Sequence, residues 1–201
     1  MSLSIYFTPS DAARESKEEA VKNTLADSLN YFDGKYFPEL SEIDLAIFGV
    51  FESRNSANPS EINNGSEVIR KHLYSLYPKG YSAKIGDFGN ILPGETVEDT
   101  YFAVSKIVEE CVKNNVLPII IGGTQDLTYA NYQAYEKLEQ VVNLVSIDSK
   151  FDMGDFEKPI SDQNYLSKIV LHQPNYLFNF CNIGHQSYLV DDEVESLMGD
   201  M

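Results

Sequence analysis

The stretch Leu117–Asp152 reads LPIIIGGTQDLTYANYQAYEKLEQVVNLVSIDSKFD. Two apolar runs, at 117–121 and 141–147, each stop at a polar cluster: GGTQD at 122–126 and DSKFD at 148–152. Such runs predict strands, and their alternation with helices predicts a mainly parallel sheet covered on both faces. The segment between them, 126–140, has the length and composition of a crossover helix, which makes the two strands parallel. Ligands of open parallel sheets bind beyond the carboxyl ends of the strands. Both polar clusters hold that position, on what the sequence presents as consecutive strands.

The same alternation extends outward. Upstream, 42–51 (EIDLAIFGVF) reads as a buried strand, 52–65 (ESRNSANPSEINNG) as a loop of turn formers, 66–77 as a helix and 81–91 as a short strand. Residues 94–115 give the clearest helix. Val97, Tyr101, Val104, Val108 and Cys111 line one face, acids crowd the first turns and Lys113 sits in the last. Downstream, 175–184 reads as a further strand and 191–198 as a short closing helix. Residues 1–40 stand apart as an N-terminal helical extension, with Val21, Leu25, Leu29 and Phe32 on one helical face of 16–32; residues 41–201 form the α/β domain. The expected fold is α/β, a three-layer α/β/α sandwich with a mainly parallel sheet.

Composition narrows the function classes. An apolar fraction of 43% with 12% aromatics supports a packed core and argues against a disordered chain. A net charge of −16 excludes a basic phosphate-binding surface, so nucleic acid is not an expected partner, and neither is an anionic membrane. No apolar run is long enough to cross a bilayer and the N-terminus lacks a secretory pattern, so a cytoplasmic location is expected. Cys111 and Cys181 are read as buried thiols.

Five segments, in order and spacing, resemble the ureohydrolase family of arginase, agmatinase and formimidoylglutamase. They are IFGVFESRNSANPSEINNGSEVIRKHL at 47–73, carrying the Ile69–Arg70 pair; IGDFGNI at 85–91; PIIIGGTQDLTY at 118–129; VSIDSKFD at 145–152; and CNIGHQS at 181–187. The TQD wording and the acidic N-terminal segment look most like formimidoylglutamase-like members. The resemblance implies a hydrolase in which two manganese ions share a hydroxide that attacks a guanidinium or formimino carbon. The implied ligands map onto Asp148 and Asp152, which are present. Gln125 stands at the first histidine position and Lys150 at the second, and the later Asp-x-Asp pair has no counterpart before Met201. The family's last strands return between earlier ones, so C-terminal strands are expected to be absent here.

These substitutions alter the chemistry. An amide oxygen is a weak neutral ligand beside imidazole, and a protonated lysine has no lone pair to offer. Positions 148, 150 and 152 share one face of an extended segment. Lys150 is therefore expected to balance Asp148 and Asp152 in place of a metal, with Gln125 donating its amide to a carboxylate oxygen. Gly122 and Gly123 are read as a tight turn, since no Lys-Ser/Thr follows to complete a phosphate loop. His185 is read as a polar loop residue, and His72 and His172 receive no role. The expected function is a ureohydrolase-fold protein whose binuclear metal centre is lost. It would be a non-catalytic binding or assembly subunit without cofactor, open to a small cationic or amidine ligand and to homo-oligomers. The alternative is a manganese-dependent hydrolase of carbon–nitrogen bonds in linear amidines, with an altered or mononuclear site.

Overall fold

The computed structural model describes residues 2–57 and 65–199; residues 58–64 of the loop read at 52–65 lie outside the described residues. The described chain divides into two compact units, 2–54 with 65–123, and 55–57 with 124–199.

The first unit is built on β1 (Phe7–Thr8), β2 (Asn30–Tyr31), β3 (Leu45–Gly49), β4 (Ile85–Ile91) and β5 (Leu117–Ile121), with α1 (Asp11–Glu18), α2 (Gly65–Tyr74) and α3 (Val97–Lys113). The strand order is β1-β4-β3-β5, and β2 also pairs with β4. β3 runs parallel to both β4 and β5, β2 is parallel to β4, and β1 alone is antiparallel. The segment read as a helical extension, 1–40, thus supplies one eight-residue helix and two short strands of this sheet. The helix expected over 16–32 is not formed. α1 ends at Glu18, Asn23 turns with φ +69, and its N–H donates to Asp27 Oδ2 at 2.9 Å. Short polar side chains here compete with the helical backbone for its own hydrogen bonds.

β4 is buried along its whole length although it carries Asp87 and Asn90. Arg70 of α2, fully buried, meets them. Its Nε donates to Asp87 Oδ2 at 2.8 Å and one terminal nitrogen to Asp87 Oδ1 at 3.2 Å. The guanidinium also reaches Asn90 Oδ1 and the Gly89 carbonyl, each at 2.8 Å, and Glu67 Oε1 at 3.1 Å. The Tyr74 hydroxyl and the Gly89 N–H also donate to Asp87. Gly49 of β3 lies against this network: a Cβ there would stand 2.1 Å from Asn90 Oδ1. Glu67 also accepts the Ala12 N–H at 2.8 Å and the Ser10 hydroxyl at 2.9 Å, and Ser10 in turn caps α1. α3 begins on a capping box between Thr96 and Asp99 and buries the predicted stripe Val97, Tyr101, Val104, Val108 and Cys111.

The second unit pairs β6 (Val142–Ile147) and β7 (Leu177–Ile183) in parallel, with α4 (Leu127–Lys137), α5 (Tyr165–Val170) and α6 (Asp192–Gly199). Its core gathers Tyr132, Phe151, Tyr165, Leu166 and Ile169, with Val142, Leu144, Leu177 and Phe180 packed against them. α5 falls in the polar stretch where no helix was read. It is only six residues long, and Tyr165, Leu166 and Ile169 are its buried apolar positions.

The fold is α/β and mainly parallel, but three details differ from the reading of the sequence. β5 and β6, successive along the chain, belong to separate sheets; strands consecutive in sequence need not neighbour one another. A sheet covered on both faces was also expected, whereas β5 and β6 each expose alternate residues. Each has one free edge and one uncovered face among the described residues. Cys181 is exposed for the same reason, while Cys111 is buried and its thiol is pushed up to about 12 by burial and by Glu110. No helix among the described residues is long and apolar enough to cross a membrane.

Arg70→Met is expected to destabilise the first unit by about 3–5 kcal/mol, because it leaves the buried Asp87 carboxylate without its counter-charge. Denaturant unfolding followed by circular dichroism measures the loss, and a change below about 1 kcal/mol would mean that Tyr74 and the backbone N–H groups suffice.

Candidate functional site

The second unit collects four of the residues singled out from the sequence. Gln125 precedes α4, beside the buried N-cap Asp126, to which the Thr124 hydroxyl donates. Asp148 follows β6 directly. The Gln125 amide donates to Asp148 Oδ2, and Asp148 Oδ1 accepts the Lys150 N–H at 3.1 Å. Burial raises the Asp148 carboxyl, but these donors together with Ser149 outweigh it and hold the group below the ordinary carboxylate range.

Asp152 behaves oppositely. It sits at φ +52, a left-handed conformation that few side chains adopt. Its Oδ2 is buried and has no hydrogen-bond partner among the described residues. Burial, and then the neighbouring Asp148 charge, push its carboxyl up to about 7, against a smaller opposing pull from Lys150. The expected ammonium bridge is not formed. Lys150 is exposed and contributes its backbone, donating its N–H to Asp148 and accepting Asn182 Nδ2 at 2.9 Å. Its ammonium lies in no ion pair among the described residues. A flexible chain with a strongly hydrated head keeps it in water, and the clash between the carboxylates is relieved by a proton on Asp152.

Around this pair lie groups that the sequence reading missed. Ser146 and Asn182 are in register on the inner face of β6 and β7. Ser146 is bonded to the Tyr165 hydroxyl, which burial raises to about 12. Asn182 Oδ1, like Asp152 Oδ2, is a buried acceptor without a partner. The signal was present: two polar residues at inward positions of otherwise apolar strands. His185 stacks on Phe151 with ring centroids 4.9 Å apart and lies 3.9 Å from Glu195. His172 pairs with Glu136. Gly122 and Gly123 belong to the first unit, where both take positive φ in the turn after β5; a Cβ on Gly122 would stand 3.2 Å from the Val50 carbonyl.

A pair of manganese ions needs several oxygen or imidazole donors converging on shared positions. Both Asp148 oxygens already accept N–H donors, and Asp152 Oδ2 is the one uncommitted oxygen of the pair. Among the described residues no group of three His, Cys, Asp or Glu is placed to hold a metal. The described residues do not by themselves supply the donor set of a binuclear centre.

The two carboxyls set a pH dependence. Asp152 is raised in the fold from 3.8 to about 7, so the native state binds its proton more tightly than the unfolded chain does. Its contribution to stability is complete below about pH 4 and is lost as pH rises through about 7. Asp152→Asn is expected to remove this loss and to stabilise the protein at pH 8 by on the order of 1–2 kcal/mol, after screening by nearby solvent. Melting curves of both proteins from pH 5 to pH 8 are the measurement; parallel curves would show that Asp152 is ionised throughout.

Residues 43–197 match the Arginase family. The formimidoylglutamase of Halobacterium salinarum is 29% identical over 110 residues, covering 54% of this chain and 35% of its own length. That of Streptococcus gordonii is 27% identical over 99 residues, covering 47% and 30%. The chain thus spans about a third of the length of the curated relatives it matches. A Trypanosoma cruzi formiminoglutamase solved with Mn2+2 superposes with a TM-score of 0.70 at 16% identity, over 82% of this chain and 63% of that one. The formimidoylglutamase of Bacillus subtilis gives 0.69 at 17% identity, over 88% and 57%. These structures share the arginase-like fold. The family match runs from the residues before β3 to α6, through most of the sequence, and the chain belongs to the Arginase family.

Proposed function

We propose that this protein is a non-catalytic member of the Arginase family, a binding or assembly subunit whose binuclear metal centre has been replaced by a hydrogen-bonded carboxyl cluster. One observation carries the reading: the Gln125 amide donates to Asp148, at a position where the resemblance implies a metal-bound histidine. A carboxylate with an N–H group on each oxygen acts as a bracket between strand ends rather than as an open ligand. Asp152, protonated near neutrality, adds no fixed second charge. The strand-end loop then remains free to take a small cation or amidine through Asp152, which gives up its proton as the ligand binds, without a cofactor and without turnover, in the cytoplasm.

A second reading has one observation in its favour. Asp152 Oδ2 is uncommitted, and a single carboxylate of this kind could take part in an altered, mononuclear manganese site. The protein would then be a hydrolase of carbon–nitrogen bonds in linear amidines, as the names of its relatives suggest.

The two readings separate on metal content and turnover. After loading with manganese and desalting, the protein is expected to retain far less than one ion per chain. It is expected to release neither urea from arginine or agmatine nor formamide from formiminoglutamate above the uncatalysed rate. Gln125→His combined with Lys150→His should gain weak manganese affinity, seen by calorimetry, still without turnover. Stoichiometric manganese in the unmodified protein, with manganese-dependent product release, would establish the second reading instead.

A further inference from the structure

The net charge of −16 conceals a local exception in the first unit. Residues 68–86 contain no aspartate or glutamate, in a chain that has 31 of them. Arg70 points inward and is met by Asp87. Lys71, His72, Lys79 and Lys84 are exposed. Interleaved with them are large apolar side chains that the fold leaves in water: Leu76 is 55% exposed, Tyr77 52% and Tyr81 83%. A turn gathers them. The Tyr81 N–H donates to the Pro78 carbonyl at 2.9 Å, and Lys79 Nζ lies 5.6 Å from the centroid of the Tyr77 ring. One exposed apolar residue is ordinary, but a cluster of them rimmed by charge of one sign marks an interaction surface.

The cluster borders a groove of about 200 Å³, lined by Ala20, Val21, Thr24, Lys71 and Tyr77, with Glu19 the one acid among its lining residues. Lys71 pairs with Glu15 at 2.9 Å on the open surface. Such an exposed pair contributes little, so a carboxylate arriving from outside can replace it. Lys79 lies in no ion pair among the described residues. These features select the occupant. Clustered ammonium groups match carboxylates, and the groove matches an apolar side chain carried beside them. A nucleic acid would engage the charges and leave the groove empty, and no arginine of this segment faces outward to grip a phosphate in two places. A flat anionic bilayer would also press its charge against Glu15, Glu18 and Glu19, which are exposed alongside.

We propose that this face of the first unit docks an acidic segment of another protein, one apolar side chain of that segment seating in the groove between the ends of α1 and α2. The distant acids of the chain do not forbid it. At physiological salt, exposed charges more than about 8–10 Å apart are largely screened, while charges in contact are not. The proposal goes beyond the strand-end reading and gives the assembly role a partner. Peptide binding, manganese content and turnover are measured separately, so either reading can fail alone.

The test is fluorescence anisotropy at physiological salt, with the full 201-residue chain and a labelled peptide of sequence Glu-Asp-Glu-Leu-Phe-Glu-Asp-Glu. Saturable binding is expected, with a dissociation constant on the order of 10–100 μM. Replacing the central Leu-Phe of the peptide by Ser-Ser should weaken it by about fivefold or more, and so should Lys79→Glu and Tyr77→Ser in the protein. Lys35→Glu, the same charge change at an exposed lysine outside this segment, should alter it by less than about twofold. Both face variants change exposed side chains, and circular dichroism checks each, so that one poorly folded variant leaves the other to decide. Absence of saturable binding overturns the proposal. So does equal binding of the Ser-Ser peptide, or a loss in Lys35→Glu as large as in Lys79→Glu, which would make the effect one of net charge. Oligouridylate or phosphatidylserine vesicles that bind more tightly than the peptide, and lose that binding in Lys79→Glu, would assign the face to nucleic acid or membrane and overturn it too.

Discussion

Arg70 enters the first unit with no access to water, and its charge must be met there. Asp87 meets it from the middle of β4, with Asn90, Glu67 and the Gly89 carbonyl taking the remaining guanidinium protons. Such a pair is not by itself a large source of stability, since desolvating both ions opposes their attraction. What it fixes is register. A planar fork with five donors can be satisfied in one orientation, so α2 can lie on β3 and β4 in one way. The absence of a side chain at Gly49 follows, because Asn90 already occupies that space.

The second unit is held differently. Its strand ends are joined by hydrogen bonds that converge on backbone and on Asp148: Gln125 from before α4, Lys150 N–H from the loop, and Asn182 reaching across from β7 to the Lys150 carbonyl. A metal ion would draw the same segments together from the centre. In this structure amides join them from the edges, and Asp152 keeps an oxygen that no described residue engages and a carboxyl that burial raises. The position of the polar residues is that of an α/β active site, while their bonding is that of a loop brace.

Much of this was legible in the sequence, and the limits were physical. The amphipathic stripe of α3 and its caps specify a helix without help from the rest of the chain, and the apolar runs of β3, β5, β6 and β7 mark strands. Apolarity records what a strand can bury, not what covers it, so the bare faces at Val145 and Ile147 were invisible. Strand adjacency was invisible too, because β5 and β6 carry no local signal of their sheet partners. At the site, the residues at 125, 148, 150 and 152 were singled out together, but the Lys150 side chain was placed by charge alone. Its hydration and its flexible stem, which decide its direction, leave no trace in a five-residue motif. Ser146 and Asn182 were readable as polar breaks on apolar strands and were passed over.

The bond from Glu67 to the first turn of α1 has a consequence for the order of folding. α1 has eight residues, too few to persist alone in water. Its leading N–H at Ala12 is satisfied by a carboxylate 55 positions later. As the chain leaves the ribosome, the N-terminal helix therefore has to wait until α2 has emerged and settled on β3. A segment made before α2 becomes native only after it, and in the interval its apolar residues are open to whatever the nascent chain meets.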